Sequence, residues 1–319
     1  MPVILYKSKT PVAIFSLPVV VALACAGILW NAPDEPVCFF NWQMELMHDI
    51  QGITWLNYSL SVLIISVNAH QINNVFNRNS FFTRDTFLPG FIYVCGLISF
   101  NALAFSPALL AHLALIGALA FLFQIKRQDS AKVQTFASGL LIGIGLIFNP
   151  LLALWVIIPW ITLGIIRPFS WREWLIALLG MALPSFYHVC IHFVVTGFWG
   201  IQTASFKLIE SEFDPSILEQ VSYGFSILLL LIGSLGFIGV MRSQVVSFKK
   251  ISQIILTILL LSLISSIVSW LMFNRFDCSF YLPASVVLSV YLLNTRFGFL
   301  MDLLTILWLI AGLLMIFFG

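Results

Sequence analysis

Apolar positions in this chain do not alternate with polar ones. They run on, in stretches ended by Pro, Gly, Asn or a charge. Runs of that kind predict helices over 11–31, 53–70, 87–104, 107–125, 134–148, 151–166, 173–196, 221–241, 251–272, 279–293 and 299–318, eleven in all. The uncharged block 133–166 is divided at Asn149-Pro150, because proline ends the helix that precedes it. Its two halves, and the segment 279–293, are short for spans.

Composition agrees with the pattern. The chain of 319 residues is 61% hydrophobic and 9% charged, against about 25% charged in a soluble domain. So few charges could not cover so large an apolar core in water. The expected fold is an all-α polytopic membrane protein, a single transmembrane domain over 1–319. No basic tract is dense enough for nucleic acid. Five cysteines without a C-x-x-C spacing support neither a zinc site nor a thioredoxin-like motif. Lys7 and Lys9 precede the uncharged run 10–33, and Ala22-Leu23-Ala24 resembles a cleavage site. The run is long enough to span and is read as a retained first helix.

Basic residues orient the bundle. With the N-terminus inside, thirteen lie in inner segments, from Lys7 to Arg296, and only Lys207 and Arg275 lie outside. Such a bias puts the N-terminus in the cytoplasm and the C-terminus outside. The acids do the reverse. Asp34, Glu35, Glu45, Asp49, Glu210, Glu212, Asp214, Glu219 and Asp277 all fall outside. Acids contribute little to topology, so their placement reflects either loop solubility or an outer-face site. The stretch 31–52 holds four of them, with His48 and no base.

Intramembrane ionisable groups are candidates for function. His188 and His192, four apart, share a helix face near its outer end; His112 and Asn101 sit at similar depth. The plain alternative is that each histidine bonds a neighbouring helix. Ser262, Ser265, Ser266 and Ser269 form one stripe, as do Gly233, Gly236 and Gly239, and Ser138, Gly139 and Gly143 lie together. Small residues let helices approach closely in lipid, so packing is the first reading of all three. RPFSWREW over 167–174 reads as an interfacial anchor. The outer loop 197–220 is long and polar enough for a lid or a short interfacial helix. Arg275 suits a lipid phosphate or a local pair with Asp277. Cys38 and Cys278 both lie outside, where a disulfide is permitted.

Two of these features together resemble the polytopic glycosyltransferases of the C-type fold, which draw on polyprenyl-phosphate sugars. There the first helix leads into an outer loop with a catalytic acid, and Asp34-Glu35 stands in that place. A later hairpin has a Gly-rich arm and a polar tip, like GLLIGIGLIFNP over 139–150, with Arg167 closing the second arm. The likeness covers about 1–220, leaving 221–319 as C-terminal helices. RPFSWREWLI and NRNSFFTRDTFLPGFIYV also resemble an uncharacterised family of inner-membrane proteins from Bacteroidota.

The resemblance implies a bacterial inner-membrane enzyme with a periplasmic working face. Asp34 would be the general base on an acceptor hydroxyl. Arg275, or a divalent cation such as Mg²⁺ or Mn²⁺, would steady the leaving lipid phosphate. Glu35, His48, Asp49, His112, Asn149, His188 and His192 would hold the sugar, the cation or the lipid. Two other expectations stand beside it. One is a non-catalytic subunit of an envelope machine, whose Phe- and Leu-rich faces meet membrane-protein partners. The other is a lipid or solute transporter.

Overall fold

The computed structural model describes residues 5–7, 11–30, 38–79, 81–82, 84–125, 130–197, 216–273, 276–295 and 298–318. Asp34, Glu35, Arg275 and residues 198–215 of the loop 197–220 lie outside these. The described residues are helical almost throughout: α1 (Pro11–Cys25), α2 (Gly27–Trp30), α3 (Asn41–Gly52), α4 (Thr54–Arg78), α5 (Leu88–Ser99), α6 (Pro107–Leu122) and α7 (Lys132–Phe148). A 3-10 segment (Pro150–Ile157) leads into α8 (Ile158–Ile166), followed by α9 (Trp171–Thr196), α10 (Ile217–Ser243) and α11 (Val246–Phe273). A 3-10 turn (Cys278–Phe280) then precedes α12 (Tyr281–Asn294) and α13 (Gly298–Phe318). Each predicted helix has its counterpart, with shifted ends.

Five of these stretches are long and apolar enough to cross a membrane, or six if α3 and α4, bent by 110°, count as one. The chain is thus an all-α protein with several helices that could span a bilayer. Others are short. At about 1.5 Å per residue, α5 is about 18 Å long, less than a hydrocarbon core of about 30 Å. Every residue of α5 is buried, and nearly every residue of α12. These two pack on each other, among α4, α10 and α13. A helix apolar on all sides is stable when protein surrounds it, so α5 and α12 form the centre of the bundle.

Side-chain amides fasten that centre. On α4, the Asn57 Oδ1 accepts from the Phe105 N–H at 3.0 Å, and the Asn68 amide donates to the Leu109 carbonyl at 3.0 Å. Both hold the α5–α6 corner, where Asn101 takes a left-handed conformation with φ of 49°. Asn tolerates that region better than most residues, and the turn there explains why α5 stops at Ser99. At the other end, Asn77 bonds both main-chain groups of Thr86, Asn73 accepts from the Gly90 N–H at 2.7 Å, and Thr86 donates to the Tyr6 carbonyl at 2.8 Å. The Asn- and Thr-bearing stretch 77–94 is therefore a brace.

The small-residue stripes mostly pack, as expected. A Cβ at Gly139 would stand 2.5 Å from the Ala177 carbonyl oxygen, one at Gly143 2.5 Å from that of Met181, and one at Gly180 2.5 Å from that of Phe136. Backbone thus lies on backbone between α7 and α9. Gly233 and Gly236 seat Leu288 and Tyr291 of α12, while Gly239 faces open space. Among the serines, Ser265 donates to the Leu151 carbonyl at 2.8 Å and Ser262 accepts from the Trp155 indole at 3.1 Å. They hold the 3-10 segment against α11. Near the predicted cytoplasmic end, Arg167 pairs with Glu173 at 3.3 Å, and Trp160 stacks on Trp174. Trp171 stays 60% exposed, as an interfacial anchor would.

Candidate functional site

The predicted outer face is built around the break between α7 and the 3-10 segment. A helix end leaves carbonyls without intrahelical partners, and in a membrane nothing else supplies donors. Here the donor comes from α3. Gln43, fully buried, donates its amide to the carbonyls of Ile147 (2.9 Å) and Phe148 (3.4 Å), and its Oε1 accepts from the Phe39 N–H at 3.0 Å. One glutamine thereby joins the first outer loop to the hairpin tip. Met47, one turn on, is also buried.

At 100° per residue, Gln43, Met47 and Ile50 share the face of α3 that meets the protein, while Asn41, Glu45, His48 and Asp49 share the opposite one. The 110° bend at Gly52–Ile53 lays α3 across the bundle end as a roof. His48 and Asp49 are 3.9 Å apart, with side chains 90% and 85% exposed. They point away from the hairpin tip.

Asn149, at the tip, uses both ends of its amide. Its Oδ1 accepts from the Leu151 N–H at 3.2 Å, starting the 3-10 segment, and its Nδ2 donates to Asp277 Oδ1 at 3.2 Å. Ser279 donates to Asp277 Oδ2 at 2.5 Å. Burial pushes the Asp277 carboxyl above the usual carboxylate range, against these two hydrogen bonds, which lower it. Phe39 meets Phe273 edge-on at 5.7 Å. The first outer loop, the hairpin tip and the connection after α11 thus converge.

α9 joins the same place. The Trp42 indole N–H donates to His188 Nε2 at 3.1 Å, and the Phe40 ring lies edge-on to the imidazole at 4.9 Å. His192, one turn further along α9, bonds Thr196. His112 is elsewhere: fully buried in α6, with Nδ1 2.9 Å from the Tyr93 hydroxyl. So the structure gathers Asn149 and His188, places His192 at the edge, turns His48 and Asp49 to solvent, and leaves His112 in the interior. Asp34, Glu35 and Arg275 lie outside the described residues.

Gln43 and Trp42 do not stand out in the sequence, which marks Asp277 only as an outer acid and a local partner for Arg275. Their signals were weak: a lone glutamine inside an apolar-polar helix and a tryptophan at an interface. Among the described residues no group of three His, Cys, Asp or Glu side chains could hold a metal ion. Cys38 and Cys278 both carry free thiols, and burial pushes that of Cys38 up to about 11. Comparison with models of protein families, with curated proteins and with solved structures finds no match to this chain.

Proposed function

We propose that the chain is a membrane glycosyltransferase of eleven crossings, moving a sugar from a polyprenyl-phosphate donor to an acceptor on the periplasmic face of a bacterial inner membrane. One observation carries the reading. The two segments that the C-type resemblance assigns to the working face, the first outer loop and the hairpin tip, are bonded together by Gln43, and Asn149 ties that tip to the connection that bears Asp277. Phe39 follows Glu35 by four residues and packs on Phe273, two residues before Arg275. In this reading Asp34 removes the proton of the acceptor hydroxyl as it attacks the anomeric carbon. The lipid phosphate leaves towards Arg275, and Glu35 orients sugar or cation.

The test is substitution in a complementation or transfer assay. Asp34→Asn keeps size and removes charge, so expression should hold while turnover falls about 10²–10⁴-fold. Glu35→Gln should cost less. If both are silent while the protein is made normally, the catalytic reading fails.

A second reading, a non-catalytic subunit of an envelope machine, draws on a different observation. The described polar groups at the hairpin tip are already consumed in holding it: both ends of the Asn149 amide, both Asp277 oxygens and the whole Gln43 amide. A subunit would co-purify with partners and tolerate loss of Asp34.

A further inference from the structure

The contact between α3 and α9 depends on the protonation state of one imidazole. An indole N–H is a donor only. Since the Trp42 Nε1 lies 3.1 Å from His188 Nε2, that nitrogen must carry a lone pair, and the proton sits on Nδ1. A second proton would occupy Nε2 and set one donor against another. We propose that the Trp42–His188 bond is a proton-sensitive latch, and that protonation of His188 from the outer aqueous phase frees the roof helix α3 to swing off the hairpin tip.

The geometry supplies a hinge as well as a catch. α3 meets α4 at 110°, through Gly52 and an Ile53 in extended conformation with φ −107° and ψ 92°. A Cβ at Gly52 would meet nothing within 4 Å, so no neighbouring atoms crowd the corner there. His188 is half-buried, unlike the fully buried His112.

The groups around His188 explain why it, and not a neighbour, carries the response. Phe40 and Trp42 present rings that do not titrate, and Phe148 packs on Trp42. On α3, Glu45, His48 and Asp49 face away into solvent. Asp277 sits behind Asn149. On α9 itself, His192 lies one turn off and has its own partner in Thr196, and the Cys190 thiol is free. The contacts of Gln43 and Met47 remain when the latch breaks, so protonation shifts a closed–open equilibrium and does not abolish the closed form. Loss of one hydrogen bond corresponds to a shift of about tenfold in that equilibrium. The latch does not depend on the transferase reading, since it holds for any use of the outer face.

The test is a distance between α3 and α9 in the full chain, reconstituted in lipid vesicles. Spin labels go on Leu46→Cys and Val195→Cys, with Cys38 and Cys190 replaced by Ser. Measurements at about pH 8 and about pH 5 bracket the ordinary imidazole range. The expected result is a single short distance at the higher pH and a longer component, about tenfold more populated, at the lower. His188→Gln keeps an acceptor without a titrating group, so its distances should not respond to pH. His192→Gln should keep a pH response. A parent distribution unchanged by pH overturns the latch, whatever the variants do. So does a response that survives in His188→Gln, or one that is lost in His192→Gln instead.

Discussion

The side-chain amide of Gln43 donates to the main-chain carbonyl of Ile147 at 2.9 Å, so the end of α7 is capped by a residue 104 positions earlier in the chain. Helix ends in water are closed locally or by solvent. This one is closed by another element, and that makes Gln43 the joint between the first outer loop and the hairpin.

Gln43→Leu should therefore be costly although it adds apolar area. It strands the two carbonyls at the end of α7, and each unsatisfied buried group costs about 1–3 kcal/mol. A loss of about 2–4 kcal/mol is expected, read as a lower melting temperature in detergent. Glu45→Gln, two residues on but facing water, should stay within about 0.5 kcal/mol of the parent.

The α7–α9 contact makes an opposite demand, for the absence of atoms. Gly180→Val would drive a branched side chain into the Phe136 carbonyl, 2.5 Å from the new Cβ. Backbone cannot step aside as a flexible side chain can, so a cost of about 3 kcal/mol or more is expected. Gly164→Ala meets nothing within 4 Å and should be neutral or stabilising by up to about 1 kcal/mol. Yield of folded protein on size exclusion separates the two.

Asp277 gives a pH dependence with a definite sign. Burial raises its folded-state pKa above that of the unfolded chain. The native state then holds the proton more tightly, and the associated stability is fully present below the unfolded carboxylate pKa. It is lost as pH rises through the raised folded value. Unfolding measured from about pH 4 upward should show this fall. Asp277→Asn, which keeps an acceptor for Asn149, should flatten it. A parent profile that rises over the same window would contradict the assignment.

The crossing number is open to a direct test. A reporter fused after Gly319 should be active outside the cytoplasm, and one fused after Lys132 inside. The distribution of thirteen inner and two outer basic residues rests on eleven crossings. A cytoplasmic signal from the first fusion would make that number even, with α5 and the 3-10 segment the first elements to reconsider.

How much was legible along the chain follows from range. Helix positions were, since each depends on a run of apolar residues and the breaker after it. Pro150 placed the hairpin break, and the Gly139–Gly143 spacing announced a close helix contact. Ends set by tertiary bonds were missed. α5 stops at Ser99 because Asn101 turns the chain under the hold of Asn57, 48 residues before Phe105. The roof helix α3 is not legible in the sequence, because its apolar positions are too few to stand out.

For the candidate site the division is sharper. The sequence by itself determined that His188 and His192 share a face, because 3.6 residues per turn is a local rule, and that acids crowd the stretches 31–52 and 197–220. Only the tertiary structure decided which way those groups look. His48 and Asp49 belong to the stretch that drew attention first, yet they face water, because Gln43 and Met47 claim the opposite side of α3 for the protein. His112 appeared to share a depth with His188, yet it is sealed against Tyr93 while His188 meets Trp42. Periodicity fixes the angle between side chains on one helix. The direction in which that helix turns its faces is set by what the neighbouring helices bury, and that is a property of the whole packed bundle.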